Sequence, residues 1–260
     1  GICYGLFRKQ YPFPKLYLFA LIGMTTAGFL DVWTSYGTQL FWPFSDHRFA
    51  WNLVSVFDPF FSVILGLAVI TSTIRKSFTL RWLALGWIVI YLSWAGSNKM
   101  RANHLIENIA AQKDHGISYI NTKPTIANQW LWSGRYVADD TLYAFGLFLS
   151  PFGNEAIYYG DQTSLLSWRA QYQQYKGSRM YRDIQRFSRL SEGILVAHPR
   201  ENDVIGDGRY AMLPTSIKPL WGIRIDTANN NRHVQFEEFR STDSATIASF
   251  KNMLMGRETD

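Results

Sequence analysis

The stretch from residue 30 to residue 45 reads LDVWTSYGTQLFWPFS and joins an apolar run to an aromatic loop. The carboxylate of Asp31 ends the apolar run. Three hydroxyl side chains follow at i+3, i+4 and i+7, which on a continuing helix share its face: Thr34, Ser35 and Thr38. An ionisable group in or near a membrane-spanning helix is costly and indicates a functional site. Asp31 is therefore the first candidate site residue, the alternative being a carboxylate at the water interface that merely ends the helix.

Charge divides the chain into two parts. Residues 1–97 contain three acidic and seven basic residues, whereas residues 98–260 contain 17 acidic and 19 basic ones. The first part has three apolar windows close to the roughly 20 residues that cross a bilayer, at 16–36, 58–74 and 80–97. The sequence therefore predicts a membrane α-helical part, residues 1–97, with about three transmembrane helices. A soluble domain, residues 98–260, follows it.

Two short segments carry clustered positive charge, 8–15 and 75–81. Positively charged loops of membrane proteins tend to stay in the cytoplasm. The loop at 37–50 and the domain at 98–260 are then predicted on the opposite face, which is the periplasm for a bacterial inner membrane. A reversed topology is the alternative. Because the chain opens with Gly1 and an apolar tail, we also expect the true N-terminus to lie upstream.

The basic excess, a formal net charge of +6, is spread along the chain. We expect no nucleic-acid partner, because the sequence has no dense Lys and Arg run and no groove-reading motif. The single cysteine, Cys3, excludes an internal disulfide and a cysteine-based metal knuckle. The partner that the composition predicts is the lipid bilayer.

The soluble domain is predicted to be an α+β domain rich in antiparallel strands. After a helix at 98–114, apolar residues recur at a period of about two. The predicted strands are 116–120, 129–137, 141–149, 155–159, 194–198, 209–213, 220–226 and 233–239, with helices at 164–175, 178–191 and 243–255. Four side chains of this domain lack ligand spacing and are expected in turn or surface roles: His198, Asp203, Asp207 and His233.

Asp58 and Pro59 open the second apolar window. An aspartate before a proline is typical of a helix start, because the carboxylate caps free N–H groups and proline suits the first helical position. We therefore expect Asp58 to cap a helix. A role as a metal ligand is the alternative.

Two patterns, one that begins at Leu30 and one in the second part of the chain, carry a family resemblance. The first is Leu30-Asp31-x-x-Thr34-x-x-Gly37-x-x-Leu40-x-Trp42-Pro43-Phe44 followed by Phe57-Asp58-Pro59, and the second lies at 206–214 and 219–223. In these patterns the chain resembles a family of bacterial membrane-bound metal-dependent hydrolases, the second pattern resembling the extracytoplasmic tail of a subset. The resemblance implies a multi-pass inner-membrane enzyme with a divalent metal ion, for instance zinc, and Asp31 as a ligand.

The chain departs from that family at two places. The family's membrane core normally begins with an Asp pair and a His-rich HRG-x-THS motif, and it has a His where this chain has Ala27. An imidazole and a carboxylate at i and i+4 reach one ion from one helix face, so Asp31 alone cannot make a site. Either residues upstream of Gly1 supply the other ligands and the site tolerates Ala27, or this member is catalytically impaired.

Two hypotheses follow for the function. In the first, the chain is a metal-dependent hydrolase at or near the outer face of the inner membrane, with a lipid or lipid-linked substrate. The rim of its site would be formed by Thr34, Ser35, Gly37, Trp42, Asp46 and His47. In the second, it is a non-catalytic membrane-anchored binding or scaffold protein with an extracytoplasmic β-rich domain.

Overall fold

The computed structural model describes residues 4, 5 and 9–257, so Cys3 and Arg8 lie outside the described residues. The chain divides into two compact units, Gly1–Gly96 and Ser97–Asp260. The helices of the first unit are α1 (Phe13–Val32), α2 (Pro59–Ile74) and the first part of α3 (Phe78–Gln112), which runs on into the second unit.

Two of these helices, α1 and α3, are long and apolar enough to cross a membrane. Their side chains are mostly exposed over the apolar windows, as expected where lipid replaces protein as the surroundings. The third, α2, is apolar but has 16 residues, which is short of the usual span. Two candidate membrane helices are thus present, and the third predicted span stays a prediction.

The predicted helical face through Asp31, Thr34, Ser35 and Thr38 is wrong, because α1 ends at Val32. The chain folds back there: Trp51 N–H donates to the carbonyl of Val32 at 2.7 Å, and Leu53 N–H to that of Trp33 at 2.8 Å. These bonds satisfy carbonyls that the last turn of a helix leaves unpaired. The hydroxyl residues therefore lie beyond the helix and not along it.

The segment after α1 forms the loop that the sequence predicts. Thr38 and Phe49 pair as an isolated antiparallel bridge and close it. Phe41, Trp42 and Phe44 in its tip are exposed. Tryptophan, here Trp42, is enriched at the membrane–water interface.

The first sheet of the second unit is an antiparallel meander in the order β1-β2-β3-β4. Its strands are β1 (Tyr119–Pro124), β2 (Leu131–Ala138), β3 (Thr141–Leu149) and β4 (Glu155–Ser164). Residues of α3 from Ala102 to Ala110 pack on it, and Ile106 fits over Gly134, where a Cβ would lie 2.6 Å from its Cδ1 atom. Antiparallel strands are confirmed here, but β1 begins three residues after the start of the predicted 116–120, and β4 continues five residues beyond the predicted 155–159.

A second antiparallel sheet follows in the order β5-β6-β7-β8: β5 (Leu195–Ala197), β6 (Val204–Asp207), β7 (Trp221–Arg224) and β8 (Gln235–Glu238). A short helix α4 (Trp168–Gln171) and a 3₁₀ turn (Gln173–Tyr175) replace the longer helix predicted at 164–175. Helix α5 (Arg179–Leu190) is confirmed, capped by the hydroxyl of Ser178, which accepts from Tyr181 N–H at 3.1 Å. Helix α6 (Ser244–Leu254) ends the described fold.

One predicted strand is wrong. Residues 209–213 are irregular, and the strand of this region is β6, which ends at Asp207. Gly206 in β6 lies under Pro219, because a Cβ there would be 2.2 Å from the Pro219 ring. This contact is distant in sequence, so the local pattern of apolar residues carries no sign of it.

Candidate functional site

Asp31 lies at the end of α1 with an exposed side chain. Thr34, predicted on its helical face, instead donates its hydroxyl to the backbone carbonyl of Asp31 at 2.8 Å. The same carbonyl also accepts the backbone N–H of Thr34 at 3.0 Å, so both bonds close the turn that ends α1. The role of Thr34 is thus local, and the carboxylate of Asp31 remains turned outward.

Asp58 is a structural residue of the first unit. Its carboxylate accepts the N–H of Phe61 at 3.0 Å and so caps α2, as predicted. The other carboxylate oxygen accepts a hydrogen bond from the Tyr91 hydroxyl of α3. The side chain is nearly fully buried, so this pair joins two helices in a region where an unpaired carboxylate would be costly.

The predicted rim residues share one loop, but their contacts are mostly with its backbone. Gly37, at φ +77°, accepts at its carbonyl from Arg48, 3.1 Å away. Asp46 offers its backbone carbonyl to Gln39 at 3.2 Å, and the ring of His47 packs against Phe49 at 4.5 Å between centroids. Within residues 4, 5 and 9–257 the structure gathers no group of three or more His, Cys, Asp or Glu side chains that could hold a metal ion.

A buried cationic cluster in the second unit was missed by sequence reasoning. Arg135 of β2 is buried and donates to the carbonyls of Gly208, at 2.9 Å, and Ser216, at 2.5 Å. Lys123 of β1 donates to the carbonyl of Arg209 at 2.6 Å. Burial lowers the pKa of Arg135 to about 10, and burial, followed by the charge of Arg135, holds the pKa of Lys123 well below its usual range.

Arg209 adds a third cation to that cluster, and the carboxylates of Asp207 and Glu192 offset part of its positive charge. The guanidinium of Arg209 contacts both carboxylate oxygens of Asp207, at 3.0 and 2.8 Å, and Glu192 at 2.6 Å. Burial opposes the charge of Arg209, but the hydrogen bonds to Asp207 raise its pKa above the ordinary value. Asp207 does shape a turn, as predicted, because its carboxylate accepts the backbone N–H of Arg209 at 3.0 Å, but it is buried in an ion pair and does not lie on the surface. The sequence did point to this region, since residues 206–214 belong to the second pattern of the family resemblance.

The other three predicted turn or surface residues of this domain are in such roles. Asp203 pairs with Arg224 at 2.6 Å, and His233 contacts Asp183 at 2.8 Å. His198 accepts at Nδ1 from the backbone N–H of Glu201 at 3.0 Å and so shapes a turn, although its ring is buried.

Helix α5 presents a stripe of arginines to solvent. They recur at i, i+3, i+7 and i+10 and are all exposed: Arg179, Arg182, Arg186 and Arg189. At 100° per residue these positions fall within an arc of about 80°. The opposite face is buried in the second core through Met180, Ile184 and Phe187. We call this surface the arginine stripe.

The first unit provides the comparison that bears on identity. Residues 1–102 match the family model of the YdjM inner membrane protein. The YdjM match takes in 102 of 260 residues, from α1 to within α3, and therefore the segment that carries Asp31 and Asp58. The YdjM description names a location, the inner membrane, and agrees with the two candidate membrane helices. No curated protein and no solved structure matches the chain.

Proposed function

We propose that the chain is a multi-pass inner-membrane protein whose second unit binds an acidic partner through the arginine stripe. The observation that carries this proposal is the stripe itself: four exposed guanidinium groups on one narrow face of a helix whose other face is fixed in a core. This is the membrane-anchored binding function among the two hypotheses. The match to an inner membrane protein family supports the anchoring.

The geometry of the stripe suits an extended anionic surface. Neighbouring residues three or four apart on a helix lie about 5–6 Å from each other, so the stripe covers about 15 Å. Asp183 is the only acidic residue in α5, and it is shared between Arg186, at 3.5 Å, and His233, at 2.8 Å. Guanidinium groups match carboxylates and phosphates in planar, two-bond geometry.

Binding of defined polyanions tests the proposal. The full chain in detergent is titrated with fluorescent poly-glutamate and, separately, with fluorescent polyphosphate, at several salt concentrations. Replacement of all four stripe arginines by glutamine is expected to weaken binding by about fourfold to several hundredfold, since exposed charge pairs contribute about 0.2–1 kcal/mol each. A preference for one polymer tells carboxylate from phosphate recognition.

A control variant separates the stripe from net charge. Four exposed basic residues scattered over the second unit are replaced by glutamine: Lys113, Arg232, Arg240 and Lys251. This variant loses the same formal charge and is expected to bind nearly as the parent does. Equal weakening in the two variants would mean that binding depends on net charge and not on the arginine stripe, and it would overturn the proposal.

The same proposal places the second unit in the periplasm, on the argument from positive loops. A cysteine introduced at Asn230, in a background with Cys3 replaced by serine, tests the orientation. A membrane-impermeant thiol reagent added to intact cells with a permeable outer membrane is expected to label it. Labelling only after the inner membrane is broken would indicate the reversed topology.

Metal-dependent hydrolysis is the second candidate, and the observation that favours it is the exposed carboxylate of Asp31 in the segment of the family match. A bound divalent ion would supply an activated water there. The described residues do not by themselves make up a ligand set, so this candidate needs ligands from outside them. A site opening at the bilayer surface would suit a lipid or lipid-linked ester.

Metal analysis tests this candidate on the full gene product. Purified protein and the Asp31→Asn variant are compared for bound divalent metal, with Asp139→Asn, in a turn of the second unit, as the matched control. Loss of metal in Asp31→Asn alone would support ligation by Asp31. Equal metal content in all three proteins would remove Asp31 from any site.

A further inference from the structure

Three large apolar side chains of the second unit are exposed near one end of the first sheet. Met100 of α3 is 74% exposed, Ile126 between β1 and β2 is 63% exposed, and Phe152 between β3 and β4 is 91% exposed. Single exposed apolar residues are common on protein surfaces. These three differ from scattered exposed residues because the topology places them at the same end of the first sheet.

The meander places two of the three in neighbouring loops. In an antiparallel sheet of order β1-β2-β3-β4, the β1–β2 and β3–β4 connections share one end, and the β2–β3 turn at Asp139 and Asp140 lies at the other. A hydrogen bond from the N–H of Leu149, the last residue of β3, to the carbonyl of Trp130, 2.6 Å, joins the first loop to the residue before the second. We call them the paired loops, residues 125–130 and 150–154.

Helix α3 brings its residues 98–101 to the paired loops. Asn98 donates to the carbonyl of Gln129 at 3.1 Å. Arg101 donates to the carbonyl of Ser150 at 3.3 Å and pairs with Glu155 at 2.9 Å. Every one of these contacts lies within the second unit.

The same residues mark the end of the apolar stretch of α3. After Arg81, charged residues are absent from this helix until Lys99, and α3 continues unbroken from Phe78 to Gln112. In a helix that crosses a bilayer, the first polar residues after the apolar stretch lie at the headgroup level. Because Asn98 and Arg101 bond to the paired loops, those loops lie at the same level along the helix.

We propose that the paired loops dip into the headgroup layer of the bilayer that α3 crosses, with Ile126 and Phe152 as apolar anchors. The occupant of this surface is the lipid interface and not a protein partner. Apolar side chains gain by leaving water at such an interface, while the loop backbone stays within reach of headgroups and water. The proposal is independent of the arginine stripe and of which face of the membrane the domain occupies.

Depth-dependent quenching tests the proposal on the full chain. With Cys3 replaced by serine, single cysteines at Ile126, Phe152 and Asp140 carry an environment-sensitive fluorophore in nanodiscs of phosphatidylcholine and phosphatidylglycerol. Lipids with a spin label near the headgroup act as quenchers. Labels at 126 and 152 are expected to be quenched at least threefold more than the label at 140. The nine residues of β3 separate the two ends by about 30 Å, far more than the thickness of the headgroup layer.

A label at Phe236 is the matched control, because this residue of β8 is also apolar and 60% exposed. Quenching at 152 no greater than at 140 or 236 would overturn the proposal. A second measurement uses a photoreactive phenylalanine at 152 or 236 and mass spectrometry of the adducts. Lipid adducts at 152 and few at 236 are expected, whereas equal yields at both positions, or none at 152, would refute the membrane contact.

Discussion

Replacement of Asp207 by asparagine tests whether the buried cationic cluster depends on its counter-charge. Asp207 is almost fully buried and accepts three hydrogen bonds from Arg209, two from the guanidinium and one from the backbone N–H. The charge of the same carboxylate also favours the protonated form of Arg135. Asparagine keeps the size of the side chain and removes its charge. Arg209 then retains Glu192, which is half exposed, as its remaining carboxylate.

We expect Asp207→Asn to lower the free energy of unfolding of the second unit by a large amount for a change of so few atoms. Removing one partner of a buried ion pair costs about 3–5 kcal/mol, because the other charge stays buried without compensation. We expect the lower end, about 3 kcal/mol, since Glu192 compensates in part. For a unit of this size each kcal/mol moves Tm by about 2–4 °C, so Tm should fall by about 6–12 °C.

Limited proteolysis during a thermal ramp measures this Tm on the full chain in detergent, with cleavage sites between residues 119 and 238 quantified by mass spectrometry. Glu237→Gln is the control, because Glu237 bonds to Arg224 at 2.5 Å in a network open to solvent. Solvent screens such pairs, so the control should move Tm by a small fraction of the shift in Asp207→Asn. Similar shifts in the two variants would refute the reasoning about burial.

Three further variants test the fold at other points. Gly134→Ala should destabilise the second unit by about 1–3 kcal/mol through a clash with Ile106, and Ile106→Val, which removes the Cδ1 atom 2.6 Å from the new Cβ, should restore part of the loss in the same Tm assay. Burial, together with the charge of Lys218, lowers the pKa of His198 in the folded state from 6.5, so the unfolded chain protonates first and stability should fall as the pH drops below about 6.5. When the pH is lowered from 7.5 to 5.5, the Tm of His198→Asn should fall less than the Tm of the parent protein. Tyr91→Phe should lower the heat stability of the first unit and leave any bound metal unchanged, because the hydroxyl serves the helix pair through Asp58.

Sequence reasoning succeeded where the deciding chemistry is local. Asp58 and Pro59 predict the start of α2, because a cap and the N–H group that it accepts lie within three residues of each other. The alternation along β3 likewise gave Thr141–Leu149 with its observed bounds. Each of these signals is complete within one short stretch of chain.

The failures share a different cause. The end of α1 is set by Trp51 and Leu53, about twenty residues downstream, so counting apolar residues carried the predicted helix too far. Arg135 looks like a solvent-facing residue of an alternating strand, but it is held by carbonyls at Gly208 and Ser216. Contacts between residues this far apart leave no periodic trace.

The order of strands in the two sheets bears on how the second unit folds during its synthesis. In both sheets every strand pairs with its neighbour in sequence. The first sheet needs only short loops to close, whereas 13 residues join β6 to β7 in the second. Such topologies fold fast for β-structure, and synthesis delivers about 5–20 residues per second. The first meander, complete by residue 164, can therefore form while the strands of the second are still being synthesised. Its hairpins would reach their register before competing strands are available, which lowers the chance of mispaired intermediates at the membrane surface.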